Sequence, residues 1–201
     1  MLLRILLLTL FLAPLARSAP LPAVRDLFLD MPSEHLTIVS TKSGKPLSRA
    51  ERSRLIHLDD VKNAYLEVKG TADTDIFGGG EMTLFRTKSG SFLIAWHVDS
   101  NGDGTENIQF FTKEGPTWTD VTKKVLPTLT AEQVDQRAQK LIPAFAKSHR
   151  KLSDGASGTY AYKLPRHGTT IEVYVASNAY SGPHVTLWHL KFDGEQFHLA
   201  D

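Results

Sequence analysis

Oxygen-bearing side chains recur at alternate positions in the segment DSNGDGTEN, which begins at Asp99. Asp99, Asn101 and Asp103 stand at positions 1, 3 and 5 of the segment, and Asn107 stands at position 9. A glycine at position 6 permits a sharp turn, and the backbone carbonyl of Thr105 is available at position 7. Calcium prefers six to eight hard oxygen ligands, so this spacing predicts a calcium-binding loop.

A metal-free hairpin turn is the alternative for the same segment. Asn, Asp and Gly dominate hairpin turns because they tolerate positive φ and hydrogen-bond to their own backbone. The EF-hand pattern is incomplete, since position 12 is Phe110 where that motif has a bidentate Glu. Both flanks also alternate like strands rather than helices. The residues alone leave the calcium loop and the metal-free turn open.

The segment and its flanks, WHVDSNGDGTENIQFF, resemble the β-hairpin calcium loop of the FG-GAP repeats of integrin α-type propellers. The family pattern is D-x-[DN]-x-D-G-x-x-D between two apolar strands. The resemblance implies that Asp99, Asn101, Asp103 and Thr105 would be calcium ligands, with Asn107 where the family has Asp. That change removes one negative charge. The chain has one copy of the loop, whereas a propeller needs about four or more blades.

A second candidate site is the segment TADTDIFGGGE, in which three glycines, residues 78–80, lie among acidic side chains. Asp73, Asp75 and Glu81 could supply the paired carboxylates of a hydrolase. A solvated loop is the alternative. No serine lies in a G-x-S-x-G motif, and the absence of cysteine excludes thiol nucleophiles and thiolate metal sites. The sequence therefore favours a non-catalytic protein over an enzyme.

Histidine and aromatic side chains form a third group of candidates. None of the eight histidines has H-x-x-x-H or H-E-x-x-H spacing. His97 alternates with apolar residues, which predicts a buried core histidine. Aromatic side chains on strands could line a glycan or peptide groove, but they more often belong to a core. These aromatic residues are Trp96, Trp118, Trp188, Tyr174 and Tyr180.

The first 18 residues have the layout of a secretory signal peptide. Arg4 is followed by an apolar run at residues 5–13 and then by small residues, with a cleavage site predicted after Ser18. A membrane anchor is the alternative, but Pro14 and Arg17 interrupt the run before the roughly 20 apolar residues that a spanning helix needs. The sequence therefore predicts a periplasmic or secreted protein without a membrane span after signal removal.

Charge and composition limit the classes of partner that the chain is expected to bind. Removal of residues 1–18 lowers the count of Lys and Arg from 23 to 21 against 22 Asp and Glu, so the net charge changes from +1 to −1. A nearly neutral chain without a basic stripe is not suited to nucleic acid. Without cysteine, an exported chain has no disulfide framework. A protein, peptide or glycan partner is expected, with Ca²⁺ as the candidate cofactor.

Hydrophobic periodicity predicts three helices and a series of strands. The helical segments are PAVRDLFLDMP, LSRAERSRLIHLDD and TAEQVDQRAQKLIPAFAKSHRK. Ser48 and Glu51 have capping-box spacing in the second, as do Thr130 and Gln133 in the third, where Pro143 predicts a kink or an end. The strand candidates are residues 64–68, 82–88, 91–98, 107–113, 117–121, 159–164, 170–176, 185–191 and 196–199.

These elements predict an α+β fold that is mainly antiparallel β, with two roughly four-stranded meanders, a connecting helix and short N-terminal helices. The predicted organisation is a signal peptide (1–18), an N-terminal helical segment (19–62), a first meander (63–126), a connecting helix (127–151) and a second meander (152–201), with 19–201 as one domain. As a whole the chain resembles exported bacterial proteins of unknown function. The leading hypothesis is a non-catalytic binding protein, and the alternative is a secreted hydrolase with carboxylates near the glycine run.

Overall fold

The computed structural model describes residues 21–36, 38–74, 79–99, 108–148, 151–152, 160–176 and 179–200. The helices are α1 (Val24–Asp30), α2 (Ser33–Leu36), α3 (Arg49–Leu55), α4 (Thr122–Val125), α5 (Ala131–Leu141) and α6 (Pro143–Ser148). The strands are β1 (Ile56–Asp60), β2 (Tyr65–Val68), β3 (Gly79–Arg86), β4 (Phe92–Asp99), β5 (Ile108–Glu114), β6 (Thr117–Asp120), β7 (Tyr160–Lys163), β8 (Thr170–Val175), β9 (Thr186–Phe192) and β10 (Phe197–Ala200).

The strands form two antiparallel sheets. One has six strands in the order β1-β2-β3-β4-β5-β6, and the other has four in the order β10-β9-β8-β7. The predicted α+β fold, mainly antiparallel β, is therefore confirmed. Each sheet contains a four-stranded meander, β3 to β6 and β7 to β10, and α5 and α6 connect the two along the chain. The hairpin of β1 and β2 extends the first meander to six strands.

The predicted helix starts are present, but one predicted helix is too long. Both capping boxes form, with Ser48 and Glu51 at the start of α3 and with Thr130 and Gln133 at the start of α5. The helix α3 ends at Leu55, and the following IHLDD forms β1 instead of continuing the helix. Pairing with β2 outweighs the helical periodicity there, as expected where strand contacts override local propensity.

Proline interrupts the third predicted helix, as its position indicated. The helix α5 ends at Leu141, and the backbone N–H of Ile142 donates to the carbonyl of Ala138. The next helix, α6, then begins with Pro143 itself. Proline is tolerated in the first turn of a helix because the N–H it lacks would have no partner there.

Strand alternation gives the six-stranded sheet two apolar faces. One face packs against the N-terminal helices, where the indole N–H of the fully buried Trp96 donates to the carbonyl of Leu36 at 3.2 Å. Phe28 of α1 also contacts this indole, with ring centroids 5.6 Å apart. The other face packs against α5, α6 and the four-stranded sheet in a second core cluster. The six-stranded sheet therefore lies between the helical layer and the second sheet.

Candidate functional site

Both acidic candidate segments are attached to the same end of the six-stranded sheet. Gly79 is the first residue of β3, Asp99 is the last residue of β4, and the two are paired in the sheet. The chain therefore enters β3 from the glycine-rich segment and leaves β4 toward the predicted calcium loop at neighbouring points. Sequence spacing did not predict this proximity, because it depends on strand register.

The predicted calcium ligands are not tested by the described geometry. Asn101, Asp103, Thr105 and Asn107 lie outside the described residues, and Asp99 is defined only as the end of β4. Within the described ranges, no three His, Asp or Glu side chains lie close enough together to hold a metal ion. The calcium loop stays a prediction for residues 99–107.

The acidic side chains beside the glycine run separate in the structure. Asp75 lies outside the described residues, and Asp73 forms an exposed ion pair with Lys42, with Oδ1 and Nζ 2.6 Å apart. Gly79 and Gly80 belong to β3, so the prediction of a loop at these two positions is wrong. Glu81, by contrast, lines a pocket.

Glycine is required at position 80 because the strands approach each other closely there. A Cβ on Gly80 would lie 2.6 Å from the indole Cη2 of Trp96 and 3.1 Å from a methyl of Val68. Real Cβ atoms essentially never show a contact as short as 2.6 Å, and 3.1 Å is tighter than most. The glycine therefore allows the Trp96 indole to pass over β3. Alternation along the strand places the next residue, Glu81, on the opposite, inter-sheet face.

The pocket beside Glu81 lies between the two sheets, and we call it the inter-sheet pocket. It is open to solvent and has a volume of about 170 Å³. The six-stranded sheet contributes Glu67, Val68, Gly79, Gly80, Glu81 and His97, and the four-stranded sheet contributes Tyr162, Lys163 and Tyr174. Its wall is therefore mostly polar, with carboxylate, imidazole, ammonium and phenol groups together.

Glu81 connects the two sheets through both of its carboxylate oxygens. The Tyr65 hydroxyl donates to Oε1 at 2.9 Å, and the Leu164 backbone N–H, directly after β7, donates to Oε2 at 2.9 Å. Burial raises the pKa of Glu81 above its usual 4.5, and the two hydrogen bonds and the charge of Lys163 oppose this shift without cancelling it. Burial and the neighbouring Glu81 also raise the pKa of Tyr65.

Glu81 is the middle residue of a row across three strands. Register places Glu67 of β2 and His97 of β4 directly opposite Glu81. Glu67 is one-third exposed and lies 3.9 Å from the Nζ of Lys69. His97 is buried, as the sequence predicted, with 7% of its surface exposed. Side chains opposite each other on neighbouring strands lie within about 5 Å at Cβ, so the row presents two carboxyls and an imidazole together.

A second cluster of polar side chains lies on the four-stranded sheet, at the rim of the inter-sheet pocket. Glu172 interacts with the Nε2 of His184 at 2.7 Å and accepts a short hydrogen bond from the Thr186 hydroxyl. Burial by itself would raise the pKa of Glu172, but these two hydrogen bonds outweigh it and lower the pKa. The ring of Tyr174 lies 4.9 Å from the half-exposed His184 ring. Tyr174 thus belongs both to the pocket and to this group.

An ion pair beyond the C-terminal end of β7 makes a further link between the sheets. The Nε of Arg166, in the turn after β7, donates to Asp60 Oδ2 of β1 at 2.7 Å. The Asn63 amide also donates to Asp60, and these bonds lower the pKa of Asp60 to about 2. Since β7 is an edge strand of its sheet, these links fix its C-terminal end against the six-stranded sheet.

Comparisons with known proteins add no functional assignment. No family model matches the chain, and no curated protein matches it. A solved domain of an uncharacterized protein from Porphyromonas gingivalis W83 is similar at 14% identity and a TM-score of 0.49, covering 88% of this chain and 97% of that one. A fucose lectin from Kordia zhangzhouensis is similar at 18% identity and a TM-score of 0.22, covering 70% and 84%. Both TM-scores lie below 0.5, so neither likeness indicates a function.

The described helices also address the membrane prediction. No helix in the ranges that the structure describes combines the length and the apolar composition needed to cross a membrane.

Proposed function

We propose that this protein is an exported, non-catalytic binding protein that recognises an extended partner, most simply a peptide, at the inter-sheet pocket. The support comes from the size and position of the pocket. A volume of about 170 Å³ is smaller than the 300–1,000 Å³ typical of sites for whole small ligands. It suits a single side chain or sugar ring of a longer molecule.

The neighbouring edge strand gives such a partner a place to pair. β7 is at the edge of the four-stranded sheet, and two of its residues, Tyr162 and Lys163, line the pocket. An extended peptide that adds to a sheet edge gains main-chain hydrogen bonds, and pockets for alternate side chains provide its specificity. A glycan chain is the other partner class, because Tyr174 offers a ring surface and the carboxyls can accept hydroxyl hydrogens.

The hydrogen bonds that Glu81 accepts are the main support for a non-catalytic role. Both of its oxygens already accept hydrogen bonds from the protein itself, from Tyr65 and from Leu164. A general acid or base must reach a substrate proton, whereas this carboxyl is held as a strut between the sheets. A strut that fixes the pocket wall reduces the ordering cost of binding.

Export and calcium complete the proposal from the sequence. The predicted signal peptide at residues 1–18 directs the chain to the periplasm or the medium. A calcium ion in the loop at residues 99–107, as in the FG-GAP repeats that it resembles, would stabilise the connection that leaves β4 beside the pocket. The ion would then act structurally, with the weak affinity usual for extracellular modules.

Peptide and glycan arrays probed with the purified protein test the binding proposal. We expect binding to one class of extended ligand that is lost in Tyr174→Ala and Lys163→Glu. Lys191→Glu is the matched control, because Lys191 is exposed on β9 of the same sheet and does not line the pocket. Empty arrays, or equal binding by Lys163→Glu and Lys191→Glu, would contradict the proposal.

Thermal unfolding in EGTA and in millimolar calcium tests the loop. Ligand at 100 times its dissociation constant stabilises a protein by about 2.7 kcal/mol. For a chain of this length that corresponds to a rise of roughly 5–10 °C in Tm. The rise should be absent from an Asp99→Ala, Asp103→Ala double variant. An equal Tm with and without calcium in the wild-type protein would leave the segment a metal-free turn.

A secreted hydrolase is the second candidate, and one observation favours it. Glu67 and Glu81 lie on neighbouring strands, and burial raises the pKa of Glu81. Carboxyls in different environments are the usual acid and base pair of glycoside hydrolysis. Chromogenic glycosides and esters test it. Glu67→Gln is the informative variant because, among the described residues, the Glu67 side chain makes an ion pair with Lys69, directly after its own strand, and no hydrogen bond to the other sheet. Turnover by the wild-type protein that Glu67→Gln abolishes would support the hydrolase over the binding protein.

A further inference from the structure

A second concave site lies at the opposite end of β3, where two hairpin turns meet. The β3–β4 turn and the β9–β10 turn are joined by a hydrogen bond from the Lys88 N–H to the Gly194 carbonyl at 3.0 Å. Gly194 has a φ of +96°, and a Cβ there would lie 2.7 Å from the Cγ of Lys88. Glycine therefore allows the turns to close on each other. We call the space beside this contact the hairpin groove.

The hairpin groove is larger than the inter-sheet pocket and has an apolar floor. Its volume is about 510 Å³, within the range of small-molecule sites. Leu93, Val125, Val121 and Phe192 form the floor, and the first two are buried members of the core between the sheets. A ligand in the groove would therefore cover apolar surface that is continuous with the protein core.

The charged side chains around the groove are not balanced evenly. At the turns, the Nζ of Lys88 lies 3.5 Å from a carboxylate oxygen of Glu195 and 4.0 Å from one of Asp193, so this ammonium is neutralised. Lys124 of α4 supplies the other ammonium of the lining, and it is exposed. No ion pair of Lys124 occurs within the described part of the chain. The groove thus offers one unneutralised cation beside an apolar floor.

Hydroxyl groups add donors to the same lining. Thr87, Ser89 and Thr112 contribute to it, and the hydroxyls of Thr87 and Ser89 lie 2.9 Å apart. A polar rim around an apolar floor is the arrangement that binds amphipathic molecules, because the floor covers the apolar part while the rim fixes the orientation.

We propose that the hairpin groove binds an amphipathic carboxylate, such as a medium-chain fatty acid. The acyl chain lies on the floor of Leu93, Val125 and Phe192, and the carboxylate pairs with Lys124. This site is separate from the inter-sheet pocket, since the two lie at opposite ends of the eight-residue strand β3, a distance of roughly 25 Å at the rise of an antiparallel strand. Its occupancy does not depend on the peptide or glycan proposal.

Isothermal titration calorimetry with decanoate and decanol, both below the concentration at which they aggregate, tests this site on the purified protein. Decanol has the same chain without the charge. Lys124→Met removes the ammonium and keeps the apolar stem, and Lys123→Met is the matched control on the same helix, because Lys123 does not line the groove. Methyl NMR spectra recorded during the titration locate the ligand at Leu93 and Val125.

We expect decanoate to bind the wild-type protein and Lys123→Met with affinities equal within about twofold, and to bind Lys124→Met about tenfold more weakly, as expected for the loss of one charge-assisted contact. Decanol should bind the wild-type protein about tenfold more weakly than decanoate does. Methyl shifts should centre on Leu93 and Val125. The proposal is overturned by absence of decanoate binding, by equal losses in the two lysine variants, or by methyl shifts elsewhere.

Discussion

At one end of β3, Glu81 reaches across from the six-stranded sheet to the backbone of Leu164 in the other. At the other end of the same strand, Phe85 packs edge-on against Phe197 with ring centroids 5.0 Å apart. The same strand thus contacts the second sheet through a carboxylate at its start and through aromatic rings at its end. Phe110 and Phe192 extend the aromatic end, with centroids 5.0 and 4.9 Å from that of Phe197.

Because one end of β3 contacts the second sheet through a carboxylate and the other through aromatic rings, only the first end of the inter-sheet contact should respond to pH. Hydrogen bonds to Glu81 and Asp60 change when a proton is gained, whereas ring contacts keep their energy. The polar end also leaves an open pocket with groups that can exchange internal contacts for ligand contacts. Recognition of the peptide or glycan partner is therefore expected at the polar end, and most of the stability at the aromatic end.

Phe85→Ala should have the largest effect, because it removes a side chain that is 1% exposed from the aromatic end. Truncation of a buried Phe typically costs about 3–5 kcal/mol of unfolding free energy. Urea denaturation at pH 5 and pH 8 should give the same loss at both values. Leu199→Ala, at a residue 43% exposed, is the control and should cost little. A loss that changes strongly with pH would break the proposed division between the ends.

Glu81→Ala should have the next largest effect, about 2–3 kcal/mol, because the Tyr65 hydroxyl and the Leu164 N–H lose their acceptor in a partly buried site. The raised pKa fixes the sign of the pH dependence. Below 4.5 the wild-type protein has its full advantage, which decreases as the pH rises through the higher folded-state pKa of Glu81. The loss should therefore be greater at pH 4 than at pH 7.

Glu67→Ala is the matched control for Glu81→Ala, since Glu67 is the opposite residue of the same row. Its ion pair with Lys69 is 3.9 Å long and partly exposed, so removal should cost less than about 1 kcal/mol. Equal losses for Glu67→Ala and Glu81→Ala in urea denaturation would show that Glu81 is not a strut.

Asp60→Asn should have a smaller effect than Phe85→Ala and Glu81→Ala. Its pH dependence should have the opposite sign to that of Glu81→Ala. The pKa of Asp60 is lowered from 3.8 to about 2, so its stabilising contribution is complete above 3.8 and is lost as the pH falls toward 2. The difference in Tm between Asp60→Asn and the wild-type protein should therefore shrink below pH 3.8. Asp59→Asn, which removes a contact with Arg25 that is 3.9 Å long, is the matched control and should change the Tm little at pH 7. A constant Tm difference from pH 2 to pH 7 would contradict the role of the Asp60–Arg166 pair.

The amino-acid sequence was sufficient for the fold but not for the pocket. Capping residues such as Ser48 and Thr130 act within a few residues, and period-two alternation identifies strands, so both were predictable. The row of Glu67, Glu81 and His97 depends on register between strands, and register follows from tertiary packing. The sequence does contain a partial signal for this row, since Glu67 is a charged residue inside an apolar strand.

The most direct test of the account is a ¹³C NMR titration of the Glu81 carboxyl with the Leu164 amide followed in parallel. We expect a midpoint above 4.5, because burial outweighs the hydrogen bonds, and a Leu164 amide shift that follows the same midpoint. A midpoint at or below 4.5 would contradict the dominance of burial over the hydrogen bonds at Glu81. A Leu164 amide that does not titrate with Glu81 would contradict the strut between the sheets on which the proposed binding site depends.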